Sequence, residues 1–221
     1  MPGGVGIFGG TFDPVHLGHL RAAEDVREAL ELDEVRFVPA AVPPHKDPGA
    51  IAAPAARLHM LELATAGAPG LRVWPIELER RGPSYSIDTI RALRAEIGTV
   101  RRLAFVLGRD AFAEFHTWKE YLAIFALCDV VVITRPPQHD LTSLAEIPVA
   151  ARSAFCYDRS SGSFLHESGH RVIPLSVVSL DISATDIRAR LARGRSVRFL
   201  VPATVDAYLA SSGLYRSIPP S

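Results

Sequence analysis

Near the start of the chain, Gly9-Gly10-Thr11-Phe12-Asp13-Pro14-Val15-His16-Leu17-Gly18-His19 joins a glycine turn to two histidines three positions apart. Backbone N–H groups in a glycine-rich turn that runs into a helix form an anion site. Side chains at i and i+3 share one face at the start of a helix. His16 and His19 therefore offer two imidazole donors beside free amides, a set suited to a polyphosphate, and Gly18 would let a phosphate or base approach the backbone. Single histidines are usually satisfied surface or core groups; a pair at this spacing after a glycine turn is less ordinary. A second segment, Asp181-Ile182-Ser183-Ala184-Thr185-Asp186-Ile187-Arg188, opens a later helix. Ser183 with Asp186, or Thr185 alone, can cap it. Arg188, one turn in, can fold over phosphate oxygens. Taken alone, this segment is equally a plain helix cap.

Two further patterns carry less than they suggest. Gly4-Val5-Gly6-Ile7-Phe8-Gly9 matches GxGxxG, but that fingerprint must follow a strand and open a helix. Here the glycines flank and interrupt the strand itself. His166-Glu167-Ser168-Gly169-His170 matches HExxH, which binds zinc only when a helix puts both histidines on one face. Gly169 within it, the serines before it and the strand-like Val172–Leu175 after it read as a polar loop.

The elements that must position these residues alternate. Strands are expected at Val5–Phe8, Val35–Val38, Arg72–Trp74, Leu103–Leu107, Asp129–Thr134 and Val172–Leu175, with Ile76–Leu78 extended. Helices are expected over 18–31, 54–66, 86–97, 110–115, 118–127, 185–193 and 202–212, the last two capped by Gly194 and Gly213. Between Gln138 and His170 the pattern reads as a helix near 141–155 and a Ser-rich surface loop. The alternation predicts an α/β fold, a Rossmann-like parallel sheet flanked by helices, with ligands at the carboxyl ends of the strands. One domain spanning 1–221 is expected, with about 182–221 as a small C-terminal helical portion.

Composition narrows the function classes. The 221 residues carry 24 basic and 24 acidic side chains, so the formal net charge is zero. A global basic field for nucleic acid and an acidic solvating chain are both excluded. Only Lys46 and Lys119 are lysines. Cys128 and Cys156 form neither a CxxC motif nor a disulfide framework, which suits a reducing compartment. The longest apolar stretch, around 122–133, is broken by Asp129 and falls far short of the roughly 20 residues of a membrane span. With no basic, apolar leader at the start, a soluble cytoplasmic protein is expected.

Together the two phosphate-suited segments resemble the HxGH nucleotidyltransferase superfamily, marked by GxFxPxHxGH and ISxTxIR. Pro43-Pro44-His45-Lys46, Ser84-Tyr85-Ser86-Ile87-Asp88-Thr89, Gly108-Arg109-Asp110 with Trp118, Arg135-Pro136 and the tail from Leu200 to Tyr215 are similar to the bacterial nicotinate-nucleotide adenylyltransferases. The resemblance covers the chain except 138–170. Its departures are Ala184 and Ser86, where Ser and Thr are frequent, and Pro137, where Gly is frequent. It implies attack by the 5′-phosphate of nicotinate mononucleotide on the α-phosphorus of ATP, giving deamido-NAD and pyrophosphate. The nucleophile is already anionic, so the protein needs positioning and charge stabilisation rather than a base.

The residue roles below are those the resemblance implies. His16, His19, Lys46 and Arg188 would be catalytic, with His19 donating to the α-phosphate. Gly9, Gly10, Phe12, Gly108, Asp110, Arg135, Ile182, Ser183 and Thr185 would complete the ATP site. Lys46, Ser84, Tyr85, Ser86, Asp110 and Trp118 would bind the mononucleotide, with Trp118 stacked on the pyridine and backbone N–H groups around Tyr85, Ser86 and Trp118 on its carboxylate. His45, Asp13 and Asp88 would order loops. Mg²⁺ would arrive on the ATP phosphates, without a protein cage. The implied partners are these small molecules alone, with neither nucleic acid nor membrane; a homo-oligomer stays open. Among alternatives, a pantetheine-phosphate adenylyltransferase usually has Thr at the His16 position and is shorter. An amide-preferring enzyme would share the chemistry. An aminoacyl-tRNA synthetase needs a lysine-rich loop and a further domain. A non-catalytic nucleotide-binding regulator on the same fold is the reading from another class.

Overall fold

In the computed structural model, which describes residues 3–41, 51–80, 82–134 and 141–216, β1 (Gly4–Gly10) leads into α1 (Leu17–Ala29), β2 (Leu32–Pro39), α2 (Pro54–Thr65), β3 (Leu71–Val73) and α3 (Ile76–Glu79). The second half runs α4 (Ser86–Ile97), β4 (Leu103–Gly108), α5 (Arg109–Ala113), α6 (Tyr121–Phe125), β5 (Asp129–Thr134), β6 (Phe155–Asp158), β7 (Ser163–His166), β8 (Arg171–Ser176), α7 (Ala184–Ala192) and α8 (Ala203–Ser212). The strands form one sheet in the order β3-β2-β1-β4-β5-β8-β7-β6. The pairs from β3 to β8 are parallel and those joining β8, β7 and β6 are antiparallel. The chain steps outward from β1 to β3, then restarts on the other side at β4. The order therefore reverses between β1 and β4, the switch point at which open α/β sheets bind ligands.

Side-chain alternation divides β4 between two cores. Leu103, Phe105 and Leu107 enter a cluster with Ile87, Ile90 and Phe125, whereas Ala104 and Val106 face a cluster with Val26, Leu61, Ile187 and Leu209. β5 divides in the same way, with Val130 and Val132 against Val131 and Ile133. A sheet buried on both faces explains the unbroken apolar runs in these strands.

The structure departs from the sequence expectations in four places. Ile76–Leu78 is not extended. Pro75 accepts from the amides of Leu78 (2.8 Å) and Glu79 (3.2 Å), making a helical turn that points Glu77 inward to Thr89. The two helices expected over 110–127 shrink to α5, a 3₁₀ turn at Phe115–Thr117 and α6, because Glu120 turns left-handed at φ 49°. The helix expected near 141–155 is two 3₁₀ segments, Leu144–Glu146 and Val149–Ala154, with Pro148 between them. The Ser-rich stretch is the turn of the unforeseen hairpin β6–β7, where Asp158 gathers Ser160, Ser161 and Arg171. His166 ends β7 and Gly169 takes φ 90°, so the HExxH match has no helix, in line with its reading as a loop.

Asp129, at the start of β5, is 7% exposed. Burial pushes its carboxyl up, but His170, Arg102 (2.8 Å) and the amide of Arg171 (2.9 Å) outweigh this and hold it below 3.8. A carboxyl lowered on folding contributes stability that is full above its unfolded value and lost as pH falls through its folded one. Asp129→Asn is expected to flatten the fall in melting temperature below about pH 4, read by thermal melts from pH 7 to 3. An unchanged acid limb would refute this.

Candidate active site

The carboxyl ends of β1 and β4 open onto a cavity of about 380 Å³. Gly9 and Gly108 flank the switch point, and a Cβ on either would meet nothing within 4 Å. The cavity also takes in Gly10, Ser84, Tyr85, Ser86 and Trp118, so the structure brings together the residues expected from β1, α4 and the segment after α5.

The signature loop leaves β1 through a tight turn. A Cβ on Gly10 would lie 2.8 Å from the Phe12 ring, and Phe12 itself sits at φ 50°. Phe12 is 3% exposed and packs edge-on against Phe8, Phe37 and His19. Its ring belongs to the core, which leaves only its backbone to border a ligand. His16 and His19 stack with ring centroids 3.6 Å apart. A Cβ on Gly18 would crowd His16 Nδ1 at 3.1 Å, so this glycine makes room for the His16 ring as well as for any ligand. The His16 amide donates to His19 Nδ1 (3.3 Å). In the neutral ring the proton then sits on Nε2, which makes that nitrogen a donor.

The second signature folds against the first. Ser183 caps α7 by accepting from the Asp186 amide (3.0 Å), and Ile182 packs on the core. Thr185 is exposed and accepts from Arg188 Nη2 (3.3 Å). Arg188 Nη1 donates to the Asp13 carbonyl (2.6 Å) and lies 3.7 Å from the Asp13 carboxylate. The two segments, 175 positions apart at this bond, thus meet directly. Asp110 is exposed at the start of α5 and is not among the residues lining the cavity. Lys46, His45 and Arg135 lie outside the described residues.

On the cavity's other wall, Trp118 is half-buried against Phe105 and Phe115. Its amide donates to the Phe115 carbonyl (3.1 Å). A 3₁₀ turn thus engages this donor. Ser86 opens α4, whose first-turn amides have no acceptor within the helix.

Sequence reasoning missed the two charged residues of this lining. Lys119 stands over the Tyr85 ring at 4.6 Å and pairs with Asp88 at 3.3 Å; its scarcity, one of two lysines, was the available signal. Glu77 is buried, and burial pushes its carboxyl above the ordinary range against the bonds from Thr89 and Ser84. Ser84 also accepts from the Ala41 amide (3.1 Å), so it ties the end of β2 to this wall. Nothing in the local pattern marked Glu77, which reads as a surface acid. Among the described residues no group of three or more His, Cys, Asp or Glu side chains could hold a metal ion, and no helix is long and apolar enough to cross a membrane.

Comparison with known proteins identifies the family and the fold. The cytidylyltransferase-like family matches residues 7–190. A protein of Geobacter sp. (strain M21) named "Probable nicotinate-nucleotide adenylyltransferase" is 48% identical over 212 residues, covering 96% of this chain and 97% of that protein. One of Geobacter sulfurreducens with the same name is 44% identical over 211 residues, again covering 96% and 97%. Among solved structures, the nicotinic acid mononucleotide adenylyltransferase of Plasmodium falciparum complexed with NaAD superposes with a TM-score of 0.71 at 16% identity, covering 96% of this chain and 97% of that one. At that identity the likeness speaks to the fold, which it matches from end to end.

Proposed function

The chain belongs to the nicotinate-nucleotide adenylyltransferases of the cytidylyltransferase-like family, and on that premise we propose that it joins the AMP moiety of ATP to nicotinate mononucleotide, giving deamido-NAD and pyrophosphate. The observation that carries the reading is the meeting of the two signature segments, Arg188 on Asp13, beside a cavity at the β1–β4 switch point. The glycine turn that leads to the histidine pair lines this cavity, as does the aromatic wall of Tyr85 and Trp118. The mononucleotide phosphate attacks the α-phosphorus in line as the bond to pyrophosphate breaks, so no proton need be removed. His19 Nε2 donates to the α-phosphate as negative charge builds there. His16, stacked behind, fixes the ring, and Arg188 and Lys46 neutralise the phosphates. Gly9 and Gly108 leave room for the nucleotide, which Gly10, making way for the Phe12 ring, borders through its backbone. Asp110, exposed beside Gly108, accepts from ribose hydroxyls, while Ile182 and Arg135 flank the adenine; Ser183 and Thr185 present the start of α7 to the phosphates.

Because the converging donors are N–H groups, they suit phosphate oxygens and not a cation. Mg²⁺ is accordingly proposed to travel with ATP, where it would neutralise the β- and γ-oxygens. The free thiols of Cys128 and Cys156 fit the cytoplasm proposed for the enzyme. A single functional domain is proposed as well, since Ile187, Leu191, Val205 and Leu209 share one core with β1 and β2.

On the aromatic wall, Trp118 stacks on the pyridine. The amides of Tyr85 and Ser86 bind its carboxylate beside the Lys119 ammonium. Donors and a cation favour an acid over an amide, which would set N–H₂ against N–H. Pyrophosphate release with Mg-ATP should therefore be much faster with nicotinate than with nicotinamide mononucleotide at equal concentration. Equal rates would overturn this account of the pocket, and no release with either would overturn the function. Trp118→Ala should raise the KM for nicotinate mononucleotide roughly tenfold by loss of stacking, with the KM for ATP unchanged in the same assays.

A further inference from the structure

Asp13 sits at the centre of the signature loop, 3% exposed, and its contacts reach across the whole chain. Its Oδ1 accepts from the Ala52 amide (3.2 Å) and from the hydroxyl of Tyr215. Its carbonyl and Oδ2 face Arg188 Nη1, at 2.6 and 3.7 Å. Arg188 Nη2 is held in turn by Thr185 (3.3 Å). The guanidinium is thus hydrogen-bonded to the Asp13 carbonyl and paired with its carboxylate, and that carboxylate is itself held from the far end of the chain.

The backbone around Tyr215 is shaped to deliver that hydroxyl. Gly213 ends α8 at φ 67°, Tyr215 itself takes φ 65°, and the Arg216 amide closes the turn on the Gly213 carbonyl (3.1 Å). A left-handed tyrosine is strained, and such strain persists only where surrounding contacts over-determine it. The ring packs on the core cluster shared by α7 and α8. Burial, with the Asp13 carboxylate beside it, pushes the Tyr215 hydroxyl up, so it remains a donor throughout the physiological range.

We propose that Tyr215 is a positioning residue for the ATP half-site: by holding Asp13 it aims Arg188 at the nucleotide phosphates. The inference rests on the phosphate role given to Arg188 above. It predicts an effect confined to one substrate, since Asp13, Arg188 and Tyr215 are all absent from the lining of the Trp118 cavity.

Tyr215→Phe removes one oxygen and keeps the packed ring. The variant is expected to melt within a few degrees of the parent, to raise the KM for ATP roughly tenfold, and to leave the KM for nicotinate mononucleotide within about twofold. A second arm measures the Kd of a Mg-bound, non-hydrolysable ATP analogue for the parent, Tyr215→Phe, Arg188→Ala and the double variant. If Tyr215 acts through Arg188, the double variant binds no more weakly than Arg188→Ala alone, within about twofold. An unchanged ATP KM, a parallel rise in both KM values, an Arg188→Ala that binds like the parent, or penalties that multiply in the double variant would each overturn the proposal. The binding arm reads this coupling even in a chain that releases no pyrophosphate. Failure of the adenylyltransferase reading and failure of this inference are therefore distinguishable.

Discussion

His19→Ala is expected to cut turnover by ~10²–10³-fold, the usual cost of losing one preorganised donor to a developing charge, while the affinity for ATP changes little. The asymmetry follows from where the charge is. In the proposed complex the ground-state triphosphate is held by Arg188, by the glycine turn and by the start of α1. The extra negative charge on the α-phosphate exists only as the new bond forms, and a donor fixed there before the reaction acts on that state alone. His19 is fixed on three sides: its Nδ1 accepts from the His16 amide, its ring stacks on His16, and its edge meets Phe12. Single-turnover rates at saturating substrates, with Kd for an ATP analogue measured alongside, separate the two effects. A loss that appeared wholly in binding would remove His19 from the chemical step. His19→Gln, whose amide N–H₂ can stand near the Nε2 position, should recover part of the rate.

The second large effect is on stability. Arg57, in α2, is 1% exposed, and burial pulls its pKa down against the opposing field of Asp13. Its guanidinium donates to the carbonyls of Thr11 (2.8 Å), Ala52 (3.1 Å) and Ala41 (3.5 Å). It thereby fastens the signature loop to the end of β2 and to the segment before α2. Arg57→Leu keeps an apolar stem but strands these carbonyls and leaves Asp13 with Arg188 but without the charge of Arg57. Removing one side of a buried charged network costs about 3–5 kcal/mol, which in a chain of this size lowers the melting temperature by roughly 10 °C. A differential scan showing less than about 2 °C of change would mean that water replaces the guanidinium. Arg57→Lys, keeping charge but losing the fork, should fall between.

Arg57 also marks where sequence reading runs out. The two signatures were legible because their chemistry is local: a glycine turn, histidines three apart and a capped helix start are specified by neighbours in the chain. The parallel strands were legible because burial on both faces writes an apolar run, and α4 and β5 fall at the expected residues, Ser86–Ile97 and Asp129–Thr134. Arg57, Glu77 and Tyr215 were not, because each acquires its role from partners far away. Arg57 reads as one more surface arginine until Thr11, 46 positions back, is seen to accept from it. Hairpin β6–β7 was missed for a related reason. Its turn is built by Asp158 with serines and Arg171, which as composition looks like any polar loop.

The bond between Tyr215 and Asp13 spans 202 positions, and this bears on when the protein first becomes an enzyme. A ribosome adding roughly 5–20 residues per second takes roughly 10–40 s to go from Asp13 to Tyr215. Through that interval the carboxylate lacks the hydroxyl that it accepts from in the folded chain, so a loop made early is completed by a turn made late.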